Sequence, residues 1–425
     1  MFKTLKTALK IPEIRKSILT VLFLIFIYRL FAHIPLPGID NESLKSLFSS
    51  NQLLGLVNLF SGGSLSRFSL ATVGLGPYIT ASIIMQMLVS IVPSLEELSK
   101  EGMYGYEKIN KYTKFLTLPI ALLQSFGIYF LFARQGLFTI NNPLEIGVTI
   151  ISLMAGSFVL MWLGDLITEQ NIGQGISILI LASILSGLPA SFQSFLLALQ
   201  SGNLFNIGFF IVMAIFVVAG VVMVDLAVRK IEIAYASSST ATHQYQGSSF
   251  LPLKVNQAGV IPIIFAVSLV LLPSFLGNYF TQAGGSLSNL GYFLIDNFQT
   301  TSFLYNALYF SLVVLFTFFY TAFTFNPDKI ADDLKSRGGF IPGIRPGKAT
   351  ARYLNRILTR ITLIGAVFLG LIAILPNIVS SVLGISSLAI GGTSVLIVVS
   401  VIIESMRQIE SQVVMREYDK ISTNY

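Results

Sequence analysis

"NLFSGGSLSRFSLATVGLGPYITASIIMQML", residues 58–88, joins two kinds of segment that are seldom neighbours. Its first part is short, rich in Ser and Gly, and carries Arg67; the chain then breaks at Gly74-Leu75-Gly76-Pro77 and runs on as an apolar helix. Irregular backbone at membrane depth is tolerated only where protein or a water-filled cavity surrounds it, and Pro77 suits the first turn of a helix. A polar segment leading into an apolar one makes sense if it lies in an aqueous recess of a membrane protein.

The rest of the chain supports that setting. Of 425 residues, 54% are hydrophobic and 11% charged, against roughly 25% charged in a soluble domain. About 20 apolar residues cross a hydrocarbon core, and ten candidate spans lie near 18–35, 75–92, 115–133, 147–164, 175–189, 207–228, 257–276, 303–323, 361–376 and 385–403. Stretches such as "SILTVLFLIFIY" (17–28) and "FNIGFFIVMAIFVVAGVVMV" (205–224) are continuously apolar, whereas strands of a membrane barrel alternate. The fold class is therefore an all-α membrane protein. Residues 3–28 have the basic-then-apolar layout of a signal peptide, but no small-residue cleavage site follows, so the first helix is expected to be retained. The absence of cysteine excludes a disulfide framework and a thiolate metal site.

Basic residues sort unevenly across these spans. If both termini share one side, 23 of the 27 Lys and Arg fall there, leaving Arg29, Lys45, Arg67 and Arg134 on or towards the other. The positive-inside rule then puts both termini in the cytoplasm. The most basic cytoplasmic loop is 324–360, which includes Arg337 and Lys348. Such charge sets topology and attracts anionic lipid headgroups. In "GGFIPGIRPGKATARYLNR" (338–356), however, Pro342, Gly343, Pro346 and Gly347 bracket Arg345 in what reads as a tight turn holding one guanidinium at a projecting tip. That suits a docking point for a soluble partner.

Catalytic groups are not evident. Asp165, Asp225 and Glu404 fall at predicted helix ends, so a carboxylate-driven pump is disfavoured. The two histidines are His33, at the outer end of the first span, and His243, in a polar loop; neither belongs to a zinc-binding His-Glu-x-x-His helix. Gly74-Leu75-Gly76 opens no nucleotide-binding unit. No catalytic residue, metal or cofactor is expected. Uncharged polar groups remain on the helices: Gln86, Gln124 and Asn256. They suit helix-to-helix hydrogen bonds worth about 0.6 to 2 kcal/mol each, and contacts that weak also suit a seam that opens.

Seven segments in order then resemble the SecY family, the central subunit of the bacterial preprotein translocase. They are "IPLPGID" (34–40), "LFSGGSLSRFSLATVGLGPYITASIIMQML" (59–88), "LEELSKEG" (95–102), "MWLGDLITEQNIGQGISILI" (161–180), "LPLKVNQAGVIPIIFA" (251–266), "FIPGIRPGKAT" (340–350) and "GGTSVLIVVSVI" (391–402). The resemblance implies ten transmembrane helices in two pseudo-symmetric halves, 1–190 and 207–425, around a central pore, with 191–206 as the connecting hinge and 229–256 and 324–360 as cytoplasmic loops.

It also implies that residues 58–72 are a short plug half-helix, including Phe60, Ser61, Gly62, Gly63, Ser64, Leu65, Arg67 and Phe68. The small residues would give this stopper weak packing. Leu75, Ile79, Ile180, Ile184, Ile264 and Ile397 match the family's apolar pore ring, and Ile180 and Ile184 share a helix face. Such a ring seals by dewetting. Gln86, Gln124 and Asn256 would line a lateral gate. Arg345, Lys348 and Arg337 would meet a SecA ATPase or a ribosome.

The implied function is a protein-conducting channel for signal-peptide-bearing preproteins in the bacterial cytoplasmic (inner) membrane, with SecE, a SecG-type subunit and membrane lipids as further partners. Two departures stand out. The loop "YASSSTATHQYQGSSF" (235–250) lacks the family's basic tip, and "NIGQG" (171–175) stands for the usual Gly-Ile-Gly-Asn-Gly. The alternatives are a secondary transporter of a small solute, for which broken spans are also typical, and an intramembrane hydrolase, which the histidine positions disfavour.

Overall fold

A computed structural model describes residues 2–37, 39, 44, 58, 61–134, 136–138, 142–200, 204–235, 249–270, 272–283, 286–299, 302–383 and 391–423. The chain forms two compact units, Met1–Phe209 with Ser380–Tyr425, and Phe210–Val379.

The first unit holds α1 (Phe2–Lys10), α2 (Pro12–Phe31), α3 (Gly76–Ile91), α4 (Pro93–Lys100), α5 (Met103–Arg134), α6 (Pro143–Glu169) and α7 (Gly175–Gln200). Helix α8 (Leu204–Leu226) leads into the second unit. Proline opens α2, α3, α4 and α6, where its missing N–H costs no helical hydrogen bond and its fixed φ is already helical. At Val92-Pro93 the chain bends by 98° between α3 and α4. The amphipathic α4 is braced by a Lys100–Glu96 ion pair at 2.7 Å.

The second unit continues with strands β1 (Val228–Tyr235) and β2 (Ser249–Lys254) and helices α9 (Ile261–Val270), α10 (Leu272–Ala283), α11 (Ser286–Asn297), α12 (Phe303–Thr324) and α13 (Pro327–Ser336). Strand β3 (Gly339–Phe340) and helix α14 (Lys348–Leu383) follow, and α15 (Gly391–Thr423) ends the chain. Helices occupy all ten candidate spans, the seventh through α9 and α10 in succession.

By length and composition alone, four helical stretches among the described residues suffice to cross a membrane: Met103–Ala133, Pro143–Glu169, Phe303–Ser336 and Lys348–Val379. The bent α3–α4 pair would make a fifth. Outward-facing apolar bulk agrees: Phe23, Phe115, Trp162 and Phe216 are each about 60% or more exposed, which suits a surface solvated by lipid. Inside, helices approach through small residues. A Cβ on Gly175 of α7 would strike the Gly164 carbonyl of α6.

Helix α15 packs against α1 and α7. Glu13 of α2 pairs with Arg416 of α15 at 2.6 Å, and Gln412 donates to the Asn171 carbonyl at 2.7 Å. The compact units therefore do not coincide with the sequence halves 1–190 and 207–425, because the last helix has its contacts in the first unit.

The segment 229–256, expected as a cytoplasmic loop, carries regular structure. Its ends form an antiparallel hairpin, Val228↔Lys254 through Ile233↔Ser249, and Ala234↔Phe340 and Tyr235↔Gly339 add β3, giving the order β2-β1-β3. Ile231, Leu253, Ile341 and Leu354 form a small core under this sheet. Two segments far apart in sequence are thereby tied into one element. Residues 236–248, including His243, lie outside the described residues.

Candidate functional site

The segment before α3 is the most distinctive feature of the first unit. Phe60 lies outside the described residues. From Ser61 to Leu75 the chain is a series of turns, so the expected half-helix is not found there. The reason is in the backbone: Gly62 (φ 68°), Gly63 (φ 79°), Phe68 (φ 44°) and Gly74 (φ 62°) are left-handed, a conformation that interrupts a right-handed helix.

Side chains satisfy the backbone that helix bonds would have used. Ser64 Oγ donates to the carbonyls of Ser61 (2.7 Å) and Ala71 (2.8 Å), and Thr72 Oγ1 donates to Ser69 O at 2.6 Å. Asn58 Oδ1 accepts from the Ser66 N–H at 2.8 Å. Ser and Thr compete well for such local bonds, so the composition that suggested a soft stopper instead makes a folded knot.

The knot has two anchors. Its carbonyl at Gly62 accepts from Arg29 Nη1 on α2 at 3.1 Å and from Ser186 Oγ on α7 at 3.4 Å. Tyr28, one residue before Arg29, is hydrogen-bonded to Ser183 on α7, which fixes the two helices beneath the contact. A Cβ at Gly62 would lie 2.9 Å from Arg29 Nη1, 3.0 Å from Tyr28 Oη and 3.1 Å from Ser183 Cα. Only glycine fits there.

The second anchor is apolar. Phe68, fully buried, meets Phe132 and Phe138 edge-on, with ring centroids 5.6 and 5.4 Å apart, in a core with Leu65, Val73, Leu137 and Leu153. The expectation of weak packing is corrected here: the glycines are small, but Leu65 and Phe68 supply the burial. The backbone also pairs outward, with Leu36 N–H to Phe68 O at 2.9 Å and Leu70 N–H to Ile34 O at 3.1 Å. Leu70 lies so close to α6 that a Cβ on Gly156 would overlap its carbonyl. Arg67 is the one exposed residue of 61–75.

Among the proposed ring residues, Leu75, Ile180, Ile184 and Ile397 are buried and Ile79 is half-buried in the first unit, while Ile264 is half-buried on α9 of the second. Gln124 of α5 lies over the start of α3, its Oε1 3.2 Å from where a Gly76 Cβ would stand. Gln86 Nε2 reaches Ser82 Oγ at 3.4 Å, and its buried Oε1 has no hydrogen-bond partner among the described residues.

In the second unit, Asn256 Nδ2 donates to Asp225 Oδ1 at 2.7 Å and to Gly259 O at 3.3 Å, and its Oδ1 is likewise unpartnered. Arg345 sits in the predicted turn, exposed with Arg337 and Lys348. Gly343 (φ 80°) and Gly347 (φ 97°) make the turn possible, and Thr350 Oγ1 braces it by donating to Arg345 O at 3.0 Å. The sequence reading missed Arg29, Tyr28, Ser183 and Ser186; the one available signal was a cation, Arg29, within an otherwise apolar run.

A model of the SecY family matches residues 69–406. The chain belongs to the SecY family. Relatives named protein translocase subunit SecY include those of Streptomyces scabiei, 40% identical over 99% of both chains, and Mycobacterium bovis, 38% identical over 99% of both. Among solved structures, a protein-conducting channel aligns with a TM-score of 0.63 at 20% identity over 92% of this chain and 90% of its own. A SecY protein whose plug domain stabilises the closed state aligns at 0.61 and 20% identity, over 91% and 90%. The SecY fold is thus that of a multi-pass, helical membrane channel.

Proposed function

We propose that this chain is the protein-conducting subunit of a bacterial Sec translocon. It passes unfolded, signal-bearing preproteins across the cytoplasmic membrane and releases apolar helices sideways into the bilayer. The observation that carries this reading is the buried knot at 61–75, held by Arg29 and Ser186 at Gly62 directly before a span that restarts at Pro77, which suits a plug. A relative 40% identical along nearly its full length, named as a translocase subunit, supports it.

In this reading Leu75, Ile79, Ile180, Ile184, Ile264 and Ile397 serve as the dewetting seal, and Gln86, Gln124 and Asn256 serve the gate through which signal sequences leave. The halves 1–190 and 207–425 act as moving bodies joined at 191–206. Both termini face the cytoplasm, as the distribution of Lys and Arg favours. The chain does no covalent chemistry of its own. Energy comes from a SecA-type ATPase or a translating ribosome docking at Arg337, Arg345 and Lys348, and SecE- and SecG-type subunits brace the channel.

No observation favours the small-solute carrier, and it is set aside. Proteoliposomes holding the purified chain and its small subunits, supplied with a SecA-type ATPase and ATP, test the reading: a signal-bearing polypeptide should become protease-protected while a labelled small solute stays outside. Passage of the solute with no protection of the polypeptide would overturn it.

A further inference from the structure

Two helices of the second unit face each other across a cleft of about 130 Å³ that channel function leaves without a role. Its two sides repeat one spacing: Phe318, Thr321 and Phe325 at the end of α12, and Asn355, Leu358 and Thr362 at the start of α14. Steps of three and four keep each set on one helix face, so two matching stripes look at each other across open space. Pro327, the first residue of α13, adds to the wall where the chain turns away from α12. No charged side chain lines the cleft.

Its hydroxyls are the unusual part. Thr321 and Thr362 are each 3% exposed, and neither hydroxyl makes a hydrogen bond among the described residues. A threonine inside a helix can turn its hydroxyl back to the carbonyl four residues earlier, and the neighbouring threonines do so. Thr317 Oγ1 donates to Val313 O at 2.7 Å, Thr324 Oγ1 to Tyr320 O at 2.9 Å and Thr359 Oγ1 to Asn355 O at 2.9 Å. The two threonines without that bond are the two buried ones that line the cleft. A buried hydroxyl left unpaired is unfavourable, and here two of them, from different helices, open onto the same space.

We propose that the cleft binds a small uncharged phenol, a single aromatic ring carrying one hydroxyl. The ring lies between Phe318, Phe325 and Leu358, and its hydroxyl, able to donate and to accept, meets Thr321 and Thr362. An apolar cavity of about 150 Å³ takes one benzene ring, whereas drug-sized ligands occupy pockets of about 300 Å³ or more, so the volume selects one ring. An alkyl chain would fill the walls and leave both hydroxyls unmet, and a carboxylate or amine would find no opposite charge. A tyrosine from a neighbouring helix offers the same chemistry, but Asn355 and Thr359 at the rim are exposed and polar, poor ground for the apolar face of a membrane helix. A free molecule fits the whole site, and the assignment does not depend on the channel reading.

The test uses the full chain purified in mild detergent, with p-cresol as the probe and toluene, the same shape without the hydroxyl, as its comparison. Ligand-observed NMR follows both against empty micelles. p-Cresol should bind saturably and about three- to tenfold more tightly than toluene, the worth of one neutral hydrogen bond. Thr321→Val with Thr362→Val keeps the shape and removes both hydroxyls; it should abolish the preference while toluene binds as before, and each single valine variant should lose part of it. Thr317→Val removes a buried hydroxyl that already bonds within its own helix and should change nothing.

Equal affinities for the two probes in wild type, or a preference that survives both valines, would mean that Thr321 and Thr362 do not face a ligand and would overturn the proposal. So would p-cresol that associates no more with the protein than with empty micelles. Binding by the chain alone that disappears when small membrane subunits co-purify would overturn it in favour of a side chain from a protein neighbour.

Discussion

Arg29 Nη1 donates to the carbonyl of Gly62, 33 residues away in sequence, at 3.1 Å. No carboxylate pairs with this guanidinium among the described residues. Its other close neighbour is the ring of Tyr28, 5.8 Å from the guanidinium carbon. A cation on a membrane helix with a carbonyl and a ring as neighbours is costly to keep, and here it holds the 61–75 knot at Gly62. A hydrogen bond to a charged donor contributes about 1.5–3 kcal/mol, enough to bias a closed state and small enough for a docking partner to overcome.

Arg29→Gln should therefore raise resting ion leak in planar bilayers by about tenfold while leaving melting of the detergent-solubilised protein nearly unchanged. Arg29→Lys should be intermediate, since an ammonium keeps the charge and loses the planar fork. Leak equal to wild type in both variants would remove Arg29 from the latch.

Gly62→Ala tests the same contact from the other side. The added methyl meets Arg29, Tyr28 and Ser183, and a left-handed non-glycine residue costs roughly 1–2 kcal/mol more. Gly63→Ala is the control: φ is again positive, but a Cβ there meets nothing within 4 Å. Gly62→Ala should admit preproteins with defective signal sequences in an export assay more readily than Gly63→Ala; equal behaviour would mean that strain, not the contact, governs the knot.

Phe68→Ala removes the apolar anchor. Truncating a fully buried Phe costs about 3–5 kcal/mol, so this variant should melt earlier as well as leak, unlike Arg29→Gln. A Phe68→Leu variant should recover most of the stability. The readout is thermal melting in detergent beside conductance, and a Phe68→Ala protein with unaltered melting would contradict the aromatic anchor.

Much of this fold was legible in the sequence because membrane helices announce themselves by local composition: all ten candidate spans hold helix, and the break at Gly74–Pro77 is where α3 begins. The hairpin was hidden because "VRKIEIAY" alternates over too few residues to stand out beside apolar spans, and its pairing of Tyr235 with Gly339 joins segments over 100 residues apart. The role of Phe68 as an anchor was not legible, since its partners Phe132 and Phe138 come from α5 and the chain beyond it. The Arg29–Gly62 contact was invisible for the same reason: no local period encodes a side chain reaching a distant carbonyl.

Arg345 tests the docking role. Topology counts charge alone, so Arg345→Lys would be silent if the residue only sets orientation. A docking fork predicts that Arg345→Glu abolishes export and Arg345→Lys impairs it, with normal membrane insertion of both. Binding of purified SecA and of ribosomes to Arg345→Glu channels decides the matter, and wild-type affinity for both would rule the fork out.

In a channel closed by the knot at 61–75, that knot must leave its seat for a polypeptide to pass. Pro35 and Ser69 face each other as an isolated antiparallel pair, flanked by the Leu36–Phe68 and Leu70–Ile34 backbone bonds. Their Cα atoms should be about 4.5 Å apart, within disulfide range, and the chain has no cysteine of its own. Pro35→Cys with Ser69→Cys can therefore be oxidised and reduced in proteoliposomes while protease protection of a signal-bearing preprotein is followed. Translocation should arrest on oxidation and recover to the single-cysteine rate on reduction; equal translocation in both states would show that the knot need not move.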